Sequence, residues 1–344
     1  MSLSIYDFLE LRQQLAVVDV RSQGEFAEGH IHGATNIPLL NNEERVVVGT
    51  TYKQQGQHQA IKEGFRLVGP RLLEIINETE RVAQGKEILV HCWRGGMRSN
   101  NFCQFVEMAK VKSQSVQGGY KAYRQLALES FSKPLQITLL TGCTGSGKSE
   151  VLRALAVQGE QILDLEDIAK HKGSAFGGLL MPAQPTTEQF QNDLFEAILK
   201  LDLSRRVWVE DESIAIGKIF LPKTLWNTMN MSPLVQMDVP KEVRIARLVN
   251  EYGPANRDEF LMIMGKVIKK LGGQHYNAAK EKLLAGDMAT TIDILLTYYD
   301  KAYLNSIHKR NAKIKFTLEW DGKDAENYAS KLICQAGASV LSAV

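Results

Sequence analysis

The chain has 344 residues, of which 44% are hydrophobic and 23% are charged, and its formal net charge is +2. This length and composition are typical of a globular protein with two domains. The small net charge excludes binding to nucleic acid through overall charge, so such a partner requires local basic patches. No apolar segment reaches the roughly 20 residues of a membrane span, and the acidic Asp7 and Glu10 are unlike a signal peptide. We therefore expect a cytoplasmic protein.

Short apolar segments alternate with helix-like segments, which predicts an α/β fold with parallel sheets. The predicted strands lie at 17–20, 87–92, 113–117, 137–142, 161–166, 206–211, 234–239 and 313–320, and the first helices near 5–14, 70–83 and 98–110. Pro134 and the new strand after it indicate a domain boundary within 129–135. We predict one domain at 1–130 and a second at 135–344, which becomes mostly helical from about residue 256.

The first candidate site is the segment HCWRGGMRS at 91–99, which follows a predicted strand and precedes a predicted helix. Such a loop aims backbone N–H groups at one point and adds the positive end of the helix dipole. Gly95 and Gly96 are expected to let the backbone curl with positive φ, and Arg94 and Arg98 add positive charge. We predict that these groups lower the pKa of Cys92 and make it a nucleophile.

The other three cysteines, Cys103, Cys143 and Cys334, are not followed by such a loop. Because the four cysteines show neither paired nor zinc-ligand spacing, we expect free thiols and no disulfide or metal centre built from them.

Two chemistries fit the loop around Cys92. The spacing of a cysteine, five residues and RS is that of cysteine-dependent phosphatases, in which a thiolate attacks phosphorus. The segment VVDVRSQGEFAEGHIHGATNIP at 17–38 resembles the rhodanese signature, in which the thiolate carries a transferable chalcogen. This resemblance implies a rhodanese-like N-terminal domain, in which Asp19, Arg21, His30 and Gly33 support the loop.

The second candidate site is GCTGSGKS at 142–149, which matches G-x-x-x-x-G-K-[ST] between a predicted strand and a predicted helix. This context predicts a phosphate-binding P-loop, in which Lys148 bridges two phosphates and Ser149 can hold Mg²⁺. Its phosphate-binding residues are Gly142, Gly145, Ser146, Gly147, Lys148 and Ser149. The strand end VWVEDES at 207–213 supplies Asp211, or as second choice Glu210, as the carboxylate nearest the metal.

The order of these motifs resembles the tRNA 2-selenouridine synthase family, which fuses a rhodanese domain to a P-loop domain. The resemblance runs from about residue 17 to 230. Its blocks are NIPLLNNEERVVVGTTYKQQG (36–56), HCWRGGMRS, VQGGYKAYR (116–124), LTGCTGSGKSE, LDLEDIAKHKGSAFGG (163–178) and WVEDES with IG (208–217).

The resemblance implies a two-step reaction on wobble 2-thiouridine of tRNA. Geranyl diphosphate first alkylates the sulfur, and selenophosphate then replaces the S-geranyl group with selenium. The P-loop would bind the diphosphate and Cys92 would handle the selenium donor. No tightly bound cofactor is implied, although Mg²⁺ on Ser149 and Asp211 is an expectation. The sequence lacks the DDxxD motif of many prenyl synthases, so Lys148 and the loop amides must stabilise the leaving group.

Three other functions fit the same loops. They are a rhodanese-kinase fusion that uses ATP, a cysteine-dependent phosphatase, and a sulfur carrier that binds tRNA without altering the base. Analysis of nucleosides after the reaction separates them.

The segment KAYLNSIHKRNAKIK at 301–315 has no acidic residue and is the candidate tRNA patch. Its cations are Lys301, Lys309, Arg310, Lys313 and Lys315. Tyr303 and His308 are expected to offer flat surfaces for bases. A second candidate is formed by Lys266, Lys269 and Lys270, and a solvated helix face is the alternative for the first.

Overall fold

A computed structural model describes residues 2–310 and 313–341. The chain forms two compact units, one with the residues up to Ser130 and Gln191–Glu196, the other with Phe131–Phe190 and the residues from Ala197 onward. Each unit is built on a parallel sheet, as the α/β pattern predicted.

The first unit contains a five-stranded sheet in which all pairings are parallel. Its strands are β1 Ser2–Leu3, β2 Ala16–Asp19, β3 Thr35–Asn36, β4 Ile88–His91 and β5 Ser113–Val116, in the order β1-β5-β4-β2-β3. Its helices are α1 Ile5–Leu11, α2 Gln23–Glu28, α3 Asn42–Gln55, α4 Gln57–Val68, α5 Leu72–Ala83, α6 Met97–Met108 and α7 Gly119–Ser130, with a 3₁₀ turn at Gly69–Arg71. The central strand β4 is buried along its whole length, as expected for a parallel strand covered on both faces.

The second unit contains another five-stranded parallel sheet, in the order β12-β11-β6-β8-β7. Its strands are β6 Gln136–Thr141, β7 Gln161–Leu163, β8 Arg206–Glu210, β11 Leu234–Asp238 and β12 Ile314–Glu319, and β9 Ala215–Ile216 pairs antiparallel with β10 Ile219–Phe220. Helices α8 Lys148–Val157, α9 Leu165–Ala169 and α11 Lys223–Met231 alternate with these strands, and α10 Thr187–Leu199 is shared, because its residues Gln191–Glu196 belong to the first unit.

The chain after β11 is mostly helical, as predicted. Its helices are α12 Lys241–Tyr252, α13 Arg257–Lys266, α14 Ile268–Leu271, α15 Gly273–Leu284, α16 Met288–Lys309 and α17 Ala325–Leu341. Helices α12, α13, α15 and α16 share an apolar cluster that includes Phe260, Met264 and Leu296. This part therefore packs within the second unit.

The structure differs from the sequence analysis in one predicted strand and adds two helices for which no prediction was made. The predicted strand at 161–166 ends at Leu163, because the Asp164 side chain accepts a hydrogen bond from the Asp167 N–H and caps α9. Helices α3 and α4 were not predicted. Asn41 begins α3 with a capping box, and Gly56, at φ +85°, separates the two helices.

None of the helices within residues 2–310 and 313–341 combines the length and apolar character that a bilayer span requires.

Candidate active site

Cys92 directly follows the central strand β4, and the loop after it leads into α6. The thiol is buried, with 4% of the residue exposed. The Gly96 backbone N–H donates a hydrogen bond to Cys92 Sγ at 3.4 Å, and Ser99 Oγ lies 3.4 Å from the same sulfur. The loop thus encloses the sulfur with donors, as the strand-loop-helix pattern predicted.

The balance of burial and hydrogen bonding favours the thiolate of Cys92. Burial opposes ionisation, but the Ser99 hydroxyl and the backbone N–H groups of Gly96, Ser99 and Arg94 outweigh it and lower the pKa of Cys92. Cys103 is the contrast within the same unit, because burial raises the pKa of its thiol.

The loop is held in place by the turn before α7. Gly95 has φ +64°, and a Cβ there would lie 2.2 Å from the Val116 carbonyl oxygen. A Cβ on Gly119, at φ +54°, would lie 2.3 Å from the Cys92 carbonyl oxygen. The Tyr120 N–H donates to that same carbonyl at 2.9 Å. The two segments therefore approach so closely that both glycines are required.

Gly96 differs from the prediction. Its φ is −110°, and a Cβ there would meet nothing within 4 Å. Only the first of the two adjacent glycines is thus required by the backbone curl.

The two arginines of the loop have different surroundings. Arg98 donates two hydrogen bonds to the Glu25 carboxylate, at 2.7 and 3.2 Å. Arg94 is exposed, and its guanidinium has no ion-pair partner in the described part of the chain. Arg94 is therefore the cation that remains available to an anion at the loop, whereas Arg98 is neutralised in part by Glu25.

Asp19 and Arg21 of the rhodanese signature contact residues next to the loop. Arg21 and Asp19 form a buried ion pair at 2.6 Å, and the Arg21 guanidinium lies 3.8 Å above the Tyr120 ring. His30 stacks on Phe26, and Gly33 has φ +79°. These contacts are structural, as the resemblance implied.

The P-loop joins β6 to α8 in the second unit. Gly145 and Gly147 have φ of +82° and +78°. A Cβ on Gly145 would lie 2.8 Å from Leu248 Cδ1, and one on Gly147 would lie 2.6 Å from Arg247 Nη2. The Lys148 ammonium donates to the Gly142 carbonyl oxygen at 3.2 Å. The loop thus has the tight curl that phosphate binding needs, and its lysine bends back over it.

We expected Ser149 and Asp211 to hold Mg²⁺ together, and both side chains line the P-loop cavity, but each is bonded to other residues. Ser149 Oγ donates to Glu166 Oε2 at 2.5 Å. Asp211 instead receives two hydrogen bonds of 2.7 Å from Arg310 and one of 2.7 Å from the Thr141 hydroxyl. Sequence reasoning missed Glu166 because Asp164 ends β7 early and α9 then turns it toward the P-loop.

Glu210, the second choice, is buried at the end of β8, where its Oε2 accepts from the Leu165 N–H at 2.9 Å. Burial, followed by the charges of Asp164 and Glu166, raises its pKa well above the usual value. Glu210 therefore holds the start of α9 in place, whereas the Ser149 hydroxyl is bonded to Glu166.

Glu166 and Glu212 form a carboxyl pair next to Ser149. Burial and the charge of Glu166 raise the pKa of Glu212 to about 8, and the Lys148 ammonium opposes this shift. Within residues 2–310 and 313–341, no cluster of three or more His, Cys, Asp or Glu side chains is arranged to bind a metal ion by itself. Mg²⁺ at a P-loop needs fewer protein ligands, because phosphates and water complete its shell. The Ser149 hydroxyl and the carboxyl groups of Glu166 and Glu212 fit such an ion. Its positive charge would favour the ionised form of Glu212, which burial and Glu166 disfavour.

A cavity of about 1720 Å³, including its open side, lies over the P-loop. One wall carries the loop with Lys148 and the carboxyl pair, and the other carries apolar and aromatic side chains. The latter are Met181, Leu248, Tyr252, Tyr298, Tyr299, Ala302 and Tyr303. The cavity can therefore hold a ligand that has a polyphosphate at one end and an apolar group at the other.

The predicted basic patch at 301–315 is smaller than expected. Arg310 is paired with Asp211, and the Lys313 ammonium donates to the Asn230 carbonyl oxygen. Tyr303 is half-buried and lines the P-loop cavity, so it belongs to that site and not to an exposed patch. Lys309 and Lys315 are exposed, so the patch as a tRNA site stays a prediction. The second patch is also exposed, at Lys266, Lys269 and Lys270.

Residues 5–126 of the chain match the family of rhodanese-like domains. Residues 135–332 match the family of tRNA 2-selenouridine synthase AAA domains. A tRNA 2-selenouridine synthase of Nitrosomonas europaea is 31% identical over 346 aligned positions, which cover 86% of this chain and 89% of that protein.

Some solved structures are similar to a part of the chain. The N-terminal domain of a Clostridium difficile 630 protein described as ATP/GTP binding is 40% identical, covers 37% of this chain and 99% of that one, and has a TM-score of 0.36. A rhodanese-related protein of Thermoplasma volcanium is 18% identical, covers 36% of this chain and 91% of that one, and has a TM-score of 0.24.

Proposed function

Because this chain belongs to the tRNA 2-selenouridine synthase family, we propose that it converts 2-thiouridine at the wobble position of tRNA to 2-selenouridine, in the cytoplasm. The reaction runs through S-geranyl-2-thiouridine. The observation that carries this proposal is the presence of two anion-binding loops of different chemistry, one with a thiol of lowered pKa and the other with a lysine beneath an aromatic wall.

The first step belongs to the P-loop cavity. The thione sulfur attacks C1 of geranyl diphosphate, the C–O bond breaks, diphosphate leaves, and the N3 proton of the base is released. Lys148 and the loop N–H groups stabilise the leaving diphosphate. The apolar wall with Leu248, Tyr298 and Tyr303 accepts the isoprenoid chain. Aromatic side chains can also stack on a nucleotide base, so the choice of the prenyl donor over ATP rests on the family resemblance and is decided by the test for an ATP requirement below.

The alkylation makes the second step feasible. A thione carbon is a poor electrophile with no good leaving group, whereas the S-geranyl base is a thioimidate that can expel geranyl thiol. The selenium of selenophosphate forms a bond to C2 as the C2–S bond breaks and geranyl thiol leaves. Water cleaves the Se–P bond to give phosphate, and selenium keeps its oxidation level. The thiolate of Cys92, the N–H groups around it and the free Arg94 bind and activate the anionic donor.

Mg²⁺ is part of the proposal for the P-loop. Ser149, Glu166 and Glu212 would hold it, in place of the expected Asp211. When bound, the ion neutralises charge on the diphosphate.

The test is nucleoside mass spectrometry of a thiolated anticodon stem-loop RNA after incubation with the enzyme. With geranyl diphosphate alone, we expect S-geranyl-2-thiouridine, and with added selenophosphate, 2-selenouridine. Neither step should need ATP. An absolute requirement for ATP, or 2-selenouridine formed without geranyl diphosphate, would contradict the proposal.

A further inference from the structure

A groove lies beside the thiol loop in the first unit, and Met97 and Arg98 of that loop are among its lining residues. Its cavity volume is about 120 Å³, and the groove is open to solvent along one side. Helices α3 and α4 form one wall, and the start of α6 forms the other. The lining side chains are Leu39, Leu40, Val48, Tyr52, Gln57, Ala60, Ile61, Phe65, Val68, Met97, Arg98, Asn101 and Phe105, with Gly64 on the groove wall.

The lining is apolar but incompletely buried. Tyr52 is 52% exposed, Phe65 is 55% exposed and Met97 is 49% exposed. Arg98 is the one charged residue of the lining, and its guanidinium is directed to Glu25. Large apolar side chains that stay half exposed around a concave surface are typical of a site for an apolar ligand.

The groove shares residues with the thiol loop. Met97 and Arg98 line it and are the fifth and sixth residues after Cys92. In the S-geranyl base, the ten-carbon chain begins on the sulfur attached to the reacting C2 carbon. When that carbon lies at the thiol loop, the chain must therefore lie within its own length of Cys92.

We propose that this groove binds the geranyl chain of the S-geranyl base during selenation. The inference rests on the proposed function and adds a site for the second step, distinct from the P-loop cavity of the first. The chain acts as a handle that distinguishes the alkylated base from the starting 2-thiouridine. When the C2–S bond breaks, the sulfur takes up a proton and departs as geranyl thiol from the groove.

Two glycines make a matched pair of variants. Gly64 lies in α4 on the groove wall, and a Cβ there would meet nothing within 4 Å. Gly64→Leu therefore fills the groove without a backbone clash, and leucine favours the helix over glycine. Gly49 lies in α3 outside the lining, and its Cβ would also meet nothing within 4 Å. Gly49→Leu is the control.

The measurement is the affinity of the full-length enzyme for two anticodon stem-loop RNAs, one with S-geranyl-2-thiouridine and one with S-methyl-2-thiouridine. Wild type and Gly49→Leu should prefer the S-geranyl RNA by about tenfold or more, because burial of the longer chain favours binding. Gly64→Leu should bring the ratio close to one. Phe65→Ala, which removes an exposed wall residue, should lower the ratio less.

An unchanged preference in both Gly64→Leu and Phe65→Ala would overturn the groove assignment, as would equal affinity of the wild type for the two RNAs. The binding ratio requires no selenophosphate. If the wild type does not selenate S-geranyl RNA, the proposed function is contradicted. If it selenates this RNA but the affinity ratio does not change as expected, only the assignment of the groove is contradicted.

Discussion

Cys92 and Cys143 both follow a central parallel strand and lie in a glycine-containing loop that leads into a helix, yet their thiols differ. Hydrogen bonds from Ser99 and backbone N–H groups overcome burial and lower the pKa of Cys92. Burial, with Asp300 adding to it against the opposing charge of Arg244, raises the pKa of Cys143 to about 11. A glycine-rich loop therefore activates a thiol only where its donors point at the sulfur.

The largest effect that separates the two loops is expected from Lys148→Ala. Loss of the ammonium should slow S-geranylation by roughly 10²–10³-fold, because the leaving diphosphate loses its main positive charge. Lys200→Ala, an exposed lysine outside the cavity, is the control and should act as wild type. The rate of S-geranyl-2-thiouridine formation measures both, and a normal rate in Lys148→Ala would remove the P-loop from this step.

The adjacent glycines of the thiol loop provide a stability comparison. Gly95→Ala should lower the free energy of unfolding by about 1–3 kcal/mol, since it places a Cβ against the Val116 carbonyl at a positive φ. Gly96→Ala, with open space at its Cβ, should stay within about 0.5 kcal/mol of wild type. Chemical denaturation measures the difference. Equal loss in the two variants would mean that the close approach of the two segments is not a constraint.

The pH dependence of alkylation shows whether the pKa of Cys92 is lowered and that of Cys143 is raised. A thiolate reacts above its pKa, so Cys92 should be alkylated by iodoacetamide at lower pH than an ordinary cysteine, and Cys143 only near its pKa of about 11. Ser99→Ala should move the Cys92 profile to higher pH and slow its alkylation at neutral pH by roughly three- to tenfold. Site-resolved mass spectrometry gives both profiles. If Cys92 and Cys143 were alkylated with the same pH profile, the difference between their pKa values would be contradicted.

The smallest effect concerns RNA binding by the exposed lysines. Lys309→Ala with Lys315→Ala should weaken tRNA binding and reduce the slope of log affinity against log salt by about one unit per lost phosphate contact. Lys280→Ala, exposed on α15, serves as the control for loss of a positive charge. An unchanged slope in the double variant would exclude this patch as a tRNA site.

The two loops could be predicted because each is local in sequence. A strand, a glycine-containing loop and a helix follow one another without interruption, so the position of Cys92 and Lys148 needs no knowledge of distant contacts. The α/β class and the helical C-terminal part follow from the same local periodicity.

The partners of these loops could not be predicted, because they come from distant segments. We expected a carboxylate at the end of β8 next to Ser149, but Ser149 donates to Glu166. Glu166 lies in α9, which begins where the sequence predicted the end of a strand, because Asp164 caps that helix. Arg310 binds Asp211 across 99 positions of sequence, although its charge alone indicated a surface patch. The groove depends on α3 and α4. Helix α3 has little helical periodicity in its apolar residues, whereas α4 is clearly amphipathic and could have been predicted from its sequence.

The central claim is that the two loops perform different steps, and Cys92→Ser tests it most directly beside Lys148→Ala. Nucleosides are analysed after each variant acts on 2-thiouridine RNA and on RNA that is already S-geranylated. We expect Cys92→Ser to form S-geranyl-2-thiouridine and to stop there, and Lys148→Ala to fail on the first RNA but to convert the second to 2-selenouridine. Formation of 2-selenouridine by Cys92→Ser at the wild-type rate would contradict the account.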